Sequence, residues 1–67
     1  MNFKMKAARA EKGLSQENLA KIIGVSRQTI LLIEQGNYNP TLNLCRAICI
    51  ALDRSLNDLF WEVKNHD

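Results

Sequence analysis

Apolar residues recur three or four positions apart along most of the chain, with polar residues between them. This spacing predicts α-helices, because it places the apolar side chains on one face of a helix. The predicted helices cover residues 4–12, 16–23, 27–35, 42–52 and 56–60. On their inward faces we expect Met5, Ala8, Leu19, Ala20, Ile23, Ile30 and Ile33.

The residues between these stretches are typical of helix ends. Ser and Thr side chains cap backbone N–H groups at helix starts, and glycine adopts the left-handed conformation that ends many helices. The predicted N-caps are Ser15, Ser26, Thr41 and Ser55. The predicted stops are Gly13, Gly24 and Gly36. The sequence therefore predicts an all-α domain of five short helices.

The fourth predicted helix is apolar on almost every side, since only Asn43 and Arg46 are polar between residues 42 and 52. Such a helix must be buried on more than one side. Moreover, a chain of 67 residues buries only about 60% of the surface that its unfolded form exposes. We therefore expect a second subunit to cover part of this helix.

The C-terminal stretch reads as a strand. Residues 60–64 are bulky, partly aromatic and alternating, a pattern typical of strands. The one partner that the chain offers is Met1-Asn2-Phe3, so we expect a small terminal antiparallel β-ribbon. Two strands of this length are weak on their own, so the ribbon would need support from the core or from a second chain.

Composition narrows the class of function. The chain has no run of 18 apolar residues and no apolar signal core, so we expect neither a membrane span nor export, and a cytoplasmic location follows. Cys45 and Cys49 are then expected to be free thiols that pack in the core. His66 is the only histidine and no loop is rich in glycine. We therefore expect no enzyme activity, metal, cofactor or small-molecule effector.

Residues 16–35 form the unit that carries function in this pattern. A short helix, a turn with a glycine and a second helix capped by Ser26 make a helix-turn-helix arrangement. The two helices must cross closely, and Ala20 supplies a small residue at the contact. Gly24 supplies a turn residue that tolerates a left-handed backbone.

The motifs of this unit resemble those of the Cro/repressor (XRE) family of bacterial and phage regulators. The resembling runs are Gly13-Leu14-Ser15-Gln16-Glu17-Asn18-Leu19-Ala20, Gly24-Val25-Ser26-Arg27-Gln28-Thr29-Ile30, Ile33-Glu34-Gln35-Gly36 and Tyr38-Asn39-Pro40. The resemblance covers residues 3–60 and is greatest to the short cytolysin-repressor type. It implies one lambda-repressor-like DNA-binding domain over residues 1–67, with a dimerisation segment at residues 55–64.

The resemblance also implies a function and a site. The chain is expected to bind double-stranded DNA sequence-specifically as a homodimer, at an inverted-repeat operator, and to repress transcription. The implied base contacts are Arg27, Gln28, Thr29 and Leu32. The implied phosphate contacts are Gln16, Ser26, Asn37, Tyr38 and Asn39. The third predicted helix, residues 27–35, is implied to be the recognition helix that enters the major groove, and an ion pair between Arg9 and Glu34 is expected to orient it. The expected dimer interface is Ile48, Leu52, Leu56, Leu59, Phe60, Trp61 and Val63.

Several of these assignments have alternatives. Arg27 pairs with guanine or with a phosphate, and Thr29 contacts a thymine methyl group or a phosphate. Leu31 and Leu32 depart from the polar residues that are common in the family at these positions. At least one of them is expected to be exposed, where it contacts thymine methyl groups or packs against a neighbouring helix. For Tyr38 the alternative is a packing residue.

Positive charge is concentrated at the start of the chain. Residues 1–12 contain four basic residues and one acidic residue, a net charge of +3, whereas the whole chain carries +2. This asymmetry is typical of an N-terminal half that faces phosphates, or of a solvated first helix.

The alternative function is an antitoxin that binds a toxin through exposed apolar residues and autoregulates its operon. A small toxin gene next to this one would favour that alternative.

Overall fold

Five α-helices make up the part of the chain that the structure describes. In this computed structural model, which describes residues 1–60, they are α1 (Phe3–Glu11), α2 (Gln16–Ile23), α3 (Arg27–Gln35), α4 (Leu42–Leu52) and α5 (Leu56–Leu59). The predicted bounds of α2, α3 and α4 are confirmed. Helix α1 begins and ends one residue earlier than predicted, and α5 ends one residue earlier. None of these helices is long and apolar enough to cross a membrane.

Side chains cap the last four helices as the sequence predicted. Ser15, Ser26, Thr41 and Ser55 each accept a hydrogen bond from the backbone N–H three residues further on. At α5 the contact is reciprocal, because the Ser55 N–H donates to Asp58 Oδ2 at 3.0 Å. This backbone hydrogen bond lowers the pKa of Asp58. The caps pair N–H groups that every helix start leaves unsatisfied, so these residues set where the helices begin.

The five helices enclose one apolar core. Its largest fully buried side chains are Met5, Leu19, Ile30, Ile48 and Leu52. These residues come from α1 to α4, and Leu59 of α5 packs against them. Helix α2 packs most extensively on α3, while α4 packs on both α2 and α5. The core therefore fixes the helix-turn-helix unit, α2 and α3, against the rest of the domain.

The core corrects part of the predicted dimer interface. Ile48, Leu52 and Leu59 are buried within one chain and leave almost no surface for a partner. The reason is that α4 packs on α2 and α5 of its own chain, which cover the face that the sequence pattern assigned to a second subunit. The exposed apolar residues of α4 are instead Leu42 and Ile50.

The other predicted interface residues fall into two groups. Leu56 and Phe60 pack against the core but remain half-buried, so part of each stays accessible. Trp61 and Val63 lie outside the described residues, as do the remaining positions of the predicted C-terminal strand.

The prediction that residues 1–3 form one strand of a β-ribbon is wrong. Phe3 is the first residue of α1, and Asn2 caps the helix by accepting the Met5 N–H on Oδ1 at 3.0 Å. The Asn2 side-chain nitrogen donates to the Leu59 carbonyl at 2.9 Å, and its backbone N–H donates to the Glu34 carbonyl at 2.8 Å. Asn2 therefore joins the start of α1 to the ends of α3 and α5, and this leaves no strand there.

We predict that Asn2→Ala lowers the free energy of unfolding by about 2 kcal/mol, because it removes an N-cap and a hydrogen bond between distant helices. Urea unfolding followed by circular dichroism measures this change. Asn43→Ala, which alters an exposed asparagine in α4, is the control and should change stability by less than about 0.5 kcal/mol. Equal losses in the two variants would contradict the role given to Asn2.

Candidate nucleic-acid interface

The turn between α2 and α3 closes tightly on the end of α2. Gly24 has a left-handed backbone with φ 88°, a conformation that other residues adopt only with strain. The N–H groups of Gly24 and Val25 both donate to the Ala20 carbonyl, at 2.8 and 3.0 Å. Ala20 itself is buried, so its small side chain lets the helices approach closely. The helix-turn-helix unit expected from the sequence is therefore present in the fold.

The first turn of α3 carries three of the four predicted base contacts. Arg27 and Gln28 are exposed there, whereas Thr29 is half-buried. Ser26 Oγ accepts the Thr29 N–H at 3.2 Å and lies 3.0 Å from Thr29 Oγ1. Ser26 and Thr29 therefore hold the helix start in place, while Arg27 and Gln28 extend toward solvent from it.

The second turn of α3 differs from expectation at its two leucines. Leu31 and Leu32 are both half-buried, so the expectation that one of them would be exposed is wrong. Because α3 packs on both α2 and α1, more of its surface is covered than the stripe of Ile30 and Ile33 alone. Leu32 lies one turn after Gln28, and part of it remains accessible.

The loop after α3 is anchored where it begins. Gly36 ends the helix with φ 81°, and the Asn37 N–H donates to the Leu32 carbonyl at 2.9 Å. Asn37, Tyr38 and Asn39 are all exposed. These residues, which the sequence predicted as phosphate contacts, therefore follow α3 directly, and their loop has a fixed starting point.

A buried carboxylate links three parts of the site. Glu34 Oε2 accepts from Arg9 Nε at 2.7 Å, and the two side chains are only 4% and 13% exposed. Arg9 Nη2 lies 3.3 Å from Glu34 Oε1, and Arg9 Nη1 donates to the Leu14 carbonyl at 2.9 Å. The ion pair implied by the resemblance is thus present, and it is a charge-assisted fork.

Gln16 has a partner that sequence reasoning missed. Its Nε2 donates to Glu34 Oε1 at 3.0 Å, although the sequence placed Gln16 only against a phosphate. A buried carboxylate needs hydrogen-bond donors in place of water, and Gln16 is the residue at the start of α2 that supplies one here. No local signal connects two residues that lie 18 positions apart. Helices α1, α2 and α3 therefore meet at one carboxylate.

A second ion pair that sequence reasoning missed joins α1 to the connection between α4 and α5. Arg54 Nη2 pairs with Glu11 Oε1, and the two side chains are 33% and 66% exposed. Such exposed pairs contribute little to stability, because water screens them and the long side chains lose freedom. We therefore expect the Arg54–Glu11 pair to contribute less to stability than the buried pair of Arg9 and Glu34.

The two cysteines are part of the core. Cys45 and Cys49 are free and buried, as predicted. Burial raises the pKa of both thiols, and for Cys49 the nearby Cys45 and Asp58 raise it further. Both thiols are therefore neutral at physiological pH and suited to packing, since the thiolate is the reactive form.

The sequence profile of the helix-turn-helix family HTH_3 matches residues 5–59. The chain belongs to this family. A relative with similar sequence is the uncharacterized HTH-type transcriptional regulator YgzD of Bacillus subtilis, which is 46% identical over 61 residues. That alignment covers 91% of this chain and 92% of YgzD. The chain is therefore an XRE-type transcriptional regulator with a DNA-binding helix-turn-helix, as the resemblance predicted.

Solved structures of other regulators share the fold of this HTH_3 member. The restriction-modification controller protein C.AhdI of Aeromonas hydrophila aligns with a TM-score of 0.78 and 35% identity, covering 85% of this chain and 86% of that one. The clp gene regulator ClgR of Corynebacterium glutamicum aligns with a TM-score of 0.77 and 29% identity. That alignment covers 82% of this chain but 58% of ClgR. The all-helical fold of this HTH_3 regulator is thus that of known regulators.

For this HTH_3 regulator we predict that Arg9→Met lowers the free energy of unfolding by about 3–5 kcal/mol, because it leaves the Glu34 carboxylate buried without its cation. The matched control is Arg54→Met, which removes an exposed pair and should cost less than about 1 kcal/mol. Urea denaturation of the two variants and the native protein measures both losses. A loss below 1 kcal/mol for Arg9→Met would show that Glu34 does not depend on this cation.

Proposed function

We propose that this regulator represses transcription by binding an inverted-repeat operator as a homodimer. The observation that carries the proposal is the arrangement of α3. Its first turn exposes Arg27 and Gln28, while Glu34 near its end is tied to Arg9 and Gln16. A helix held in this way presents side chains at a defined angle, as reading the major groove requires.

The base contacts follow from the side chains at the start of α3. Gln28 can pair bidentately with adenine, and Arg27 with guanine or with a phosphate. Thr29 is half-buried and tied to Ser26, so it contributes at most one face to DNA. Leu32, also half-buried, adds an apolar surface that fits a thymine methyl group. The proposed recognition is therefore led by Gln28 and Arg27.

The phosphate contacts flank the base contacts on both sides. Gln16 opens α2, where free backbone N–H groups and the helix dipole favour an anion. One of its amide hydrogens is given to Glu34, and the other remains available because a primary amide has two. Exposed Asn37, Tyr38 and Asn39 supply donors beyond α3, and Ser26 lies before it. Together these residues would orient α3 in the groove.

The dimer proposal rests on the apolar surface left by the core. Ile50 is 77% exposed on α4, and Leu56 and Phe60 of the C-terminal part are half-buried. A two-fold dimer that binds half-sites one DNA turn apart requires its recognition helices to lie about 34 Å apart. A dimer bound over a promoter would occupy DNA that polymerase needs, which supports repression.

We predict that Gln28→Ala weakens binding to the operator by about 1–3 kcal/mol and relaxes the base preference at one position of each half-site. Asn39→Ala is the comparison variant, because Asn39 is an exposed, proposed phosphate contact in the loop after α3, and a lost phosphate contact should weaken binding to all sequences nearly equally. Fluorescence anisotropy titrations with operator and random duplexes measure both changes. If the two variants lose affinity for both duplexes in the same proportion, the proposed division of roles is wrong.

We also predict that Ile50→Ser shifts the protein toward the monomer, because it places a polar hydroxyl in a proposed apolar contact. Ile22→Ser changes an exposed isoleucine on α2 and should leave the association constant unchanged. Sedimentation equilibrium across a concentration series gives the constants of both variants. A native protein that stays monomeric at tens of micromolar would contradict the dimer.

A further inference from the structure

One face of α4 exposes two apolar residues with a charged residue between them. Leu42 and Ile50 are 57% and 77% exposed, and Arg46 is exposed midway between them. Positions four residues apart are neighbours on a helix surface, so the three side chains form a stripe along α4. Among residues 1–60, Arg46 pairs with no carboxylate. The α4 stripe therefore presents apolar surface and a positive charge to its surroundings.

A hollow that contains negative charge adjoins the C-terminal end of this stripe. It has a volume of about 490 Å³, and Ile50, Asp53, Arg54 and Asp58 are in its lining. Arg54 already pairs with Glu11, and Asp58 accepts a hydrogen bond at the α5 cap. Asp53, which ends α4, pairs with no cation within the described part of the chain. A second copy of the chain would therefore bring both the apolar surface and the charges that this side lacks.

We infer that two copies pair through the α4 stripe, with their α4 helices antiparallel and Arg46 of each copy bound to Asp53 of the other. This inference rests on the homodimer of the proposed function, to which it adds an orientation and a charge contact. A two-fold axis beside Ile50 brings this residue against its own counterpart, because a two-fold interface joins identical surface patches. An axis perpendicular to a helix also reverses the direction of that helix, so the two α4 helices run antiparallel.

The spacing along α4 matches this pairing. Seven residues separate Arg46 from Asp53, which is about two helical turns, so both lie on one face. With a rise of about 1.5 Å per residue, Arg46 lies about 6 Å before Ile50 and Asp53 about 4.5 Å after it. In an antiparallel pair, a residue before the axis in one copy faces a residue after the axis in the other. Arg46 and Asp53 of the two copies therefore lie at levels that differ by only about 1.5 Å.

The pairing gives a role to the charged residue within an apolar stripe. An exposed ion pair adds little affinity, but complementary charges favour one orientation and disfavour others. A parallel arrangement of the two α4 helices would place Arg46 against Arg46 of the second copy, where like charges repel. Leu42 and Ile50 would then supply the buried apolar surface, while the two symmetric ion pairs would set the orientation.

An exchange of charges between two variants tests this pairing. Arg46→Glu brings like charges together in both symmetric contacts of a dimer, and so does Asp53→Lys. Each variant should therefore self-associate at least about tenfold more weakly than the native protein. An equimolar mixture of the two should recover association, because each contact of the mixed dimer again joins opposite charges. Sedimentation equilibrium without DNA measures the constants of the native protein, both variants and the mixture.

The matched control is Lys6→Glu, which changes the net charge by the same amount as Arg46→Glu at an exposed position on α1. It should leave the association constant unchanged. Asp53 has a φ of 57°, which lysine adopts with strain, so circular dichroism checks that each variant is folded. If Asp53→Lys does not fold, Asp53→Asn takes its place, because asparagine tolerates this backbone. Asp53→Asn should associate more weakly than the native protein and respond less to added salt.

Three outcomes would overturn the pairing of Arg46 with Asp53. These are equal association constants for Arg46→Glu and Lys6→Glu, a mixture that associates no more tightly than its separate components, and a native salt dependence in Asp53→Asn. If the native protein is nevertheless a dimer, the homodimer of the proposed function stands and only this contact is wrong. A native protein that stays monomeric would contradict both.

Discussion

The buried carboxylate of Glu34 is the interaction on which the DNA-binding arrangement depends. Removing a carboxylate from water costs several kcal/mol unless donors replace the lost solvent. Here those donors come from Arg9 on α1 and Gln16 at the start of α2. Glu34 lies near the end of α3, so satisfying its charge fixes that helix against two others. The exposed start of α3, with Arg27 and Gln28, belongs to the same rigid helix and is oriented with it.

The helix-turn-helix unit was predictable from the sequence because its determinants are local. Ser26 caps α3 through Thr29, and Gly24 closes α2 through Ala20. Each of these contacts spans three or four residues, which is the range that a sequence pattern conveys. The exposure of Arg27 and Gln28 follows for the same reason, since the apolar stripe of α3 assigns them to the opposite face.

The features that the sequence did not reveal depend on distant contacts. The Asn2 side chain donates a hydrogen bond to the carbonyl of Leu59, 57 residues away. This contact lies at the start of α1, where the sequence pattern of residues 1–3 predicted a strand. The apolar surface of α4 was visible in the sequence, but the pattern is the same whether α2 and α5 or a second subunit covers it. Only the three-dimensional structure shows that Ile48 and Leu52 are buried within one chain.

The proposed homodimer has a physical rationale in the discrimination that DNA recognition requires. One recognition helix contributes two or three base contacts, each worth about 1–3 kcal/mol of discrimination. A genome offers on the order of 10⁶–10⁹ competing sites, so one such helix alone discriminates too weakly. Two copies related by a two-fold axis would double the number of contacts, and the symmetry of the proposed dimer should then appear in its target.

Selection of a randomised double-stranded DNA library by the purified protein tests this account most directly. The account predicts enrichment of an inverted repeat whose half-sites are centred about 10–10.5 base pairs apart. Enrichment of an asymmetric single half-site, or no enrichment over random DNA, would contradict it.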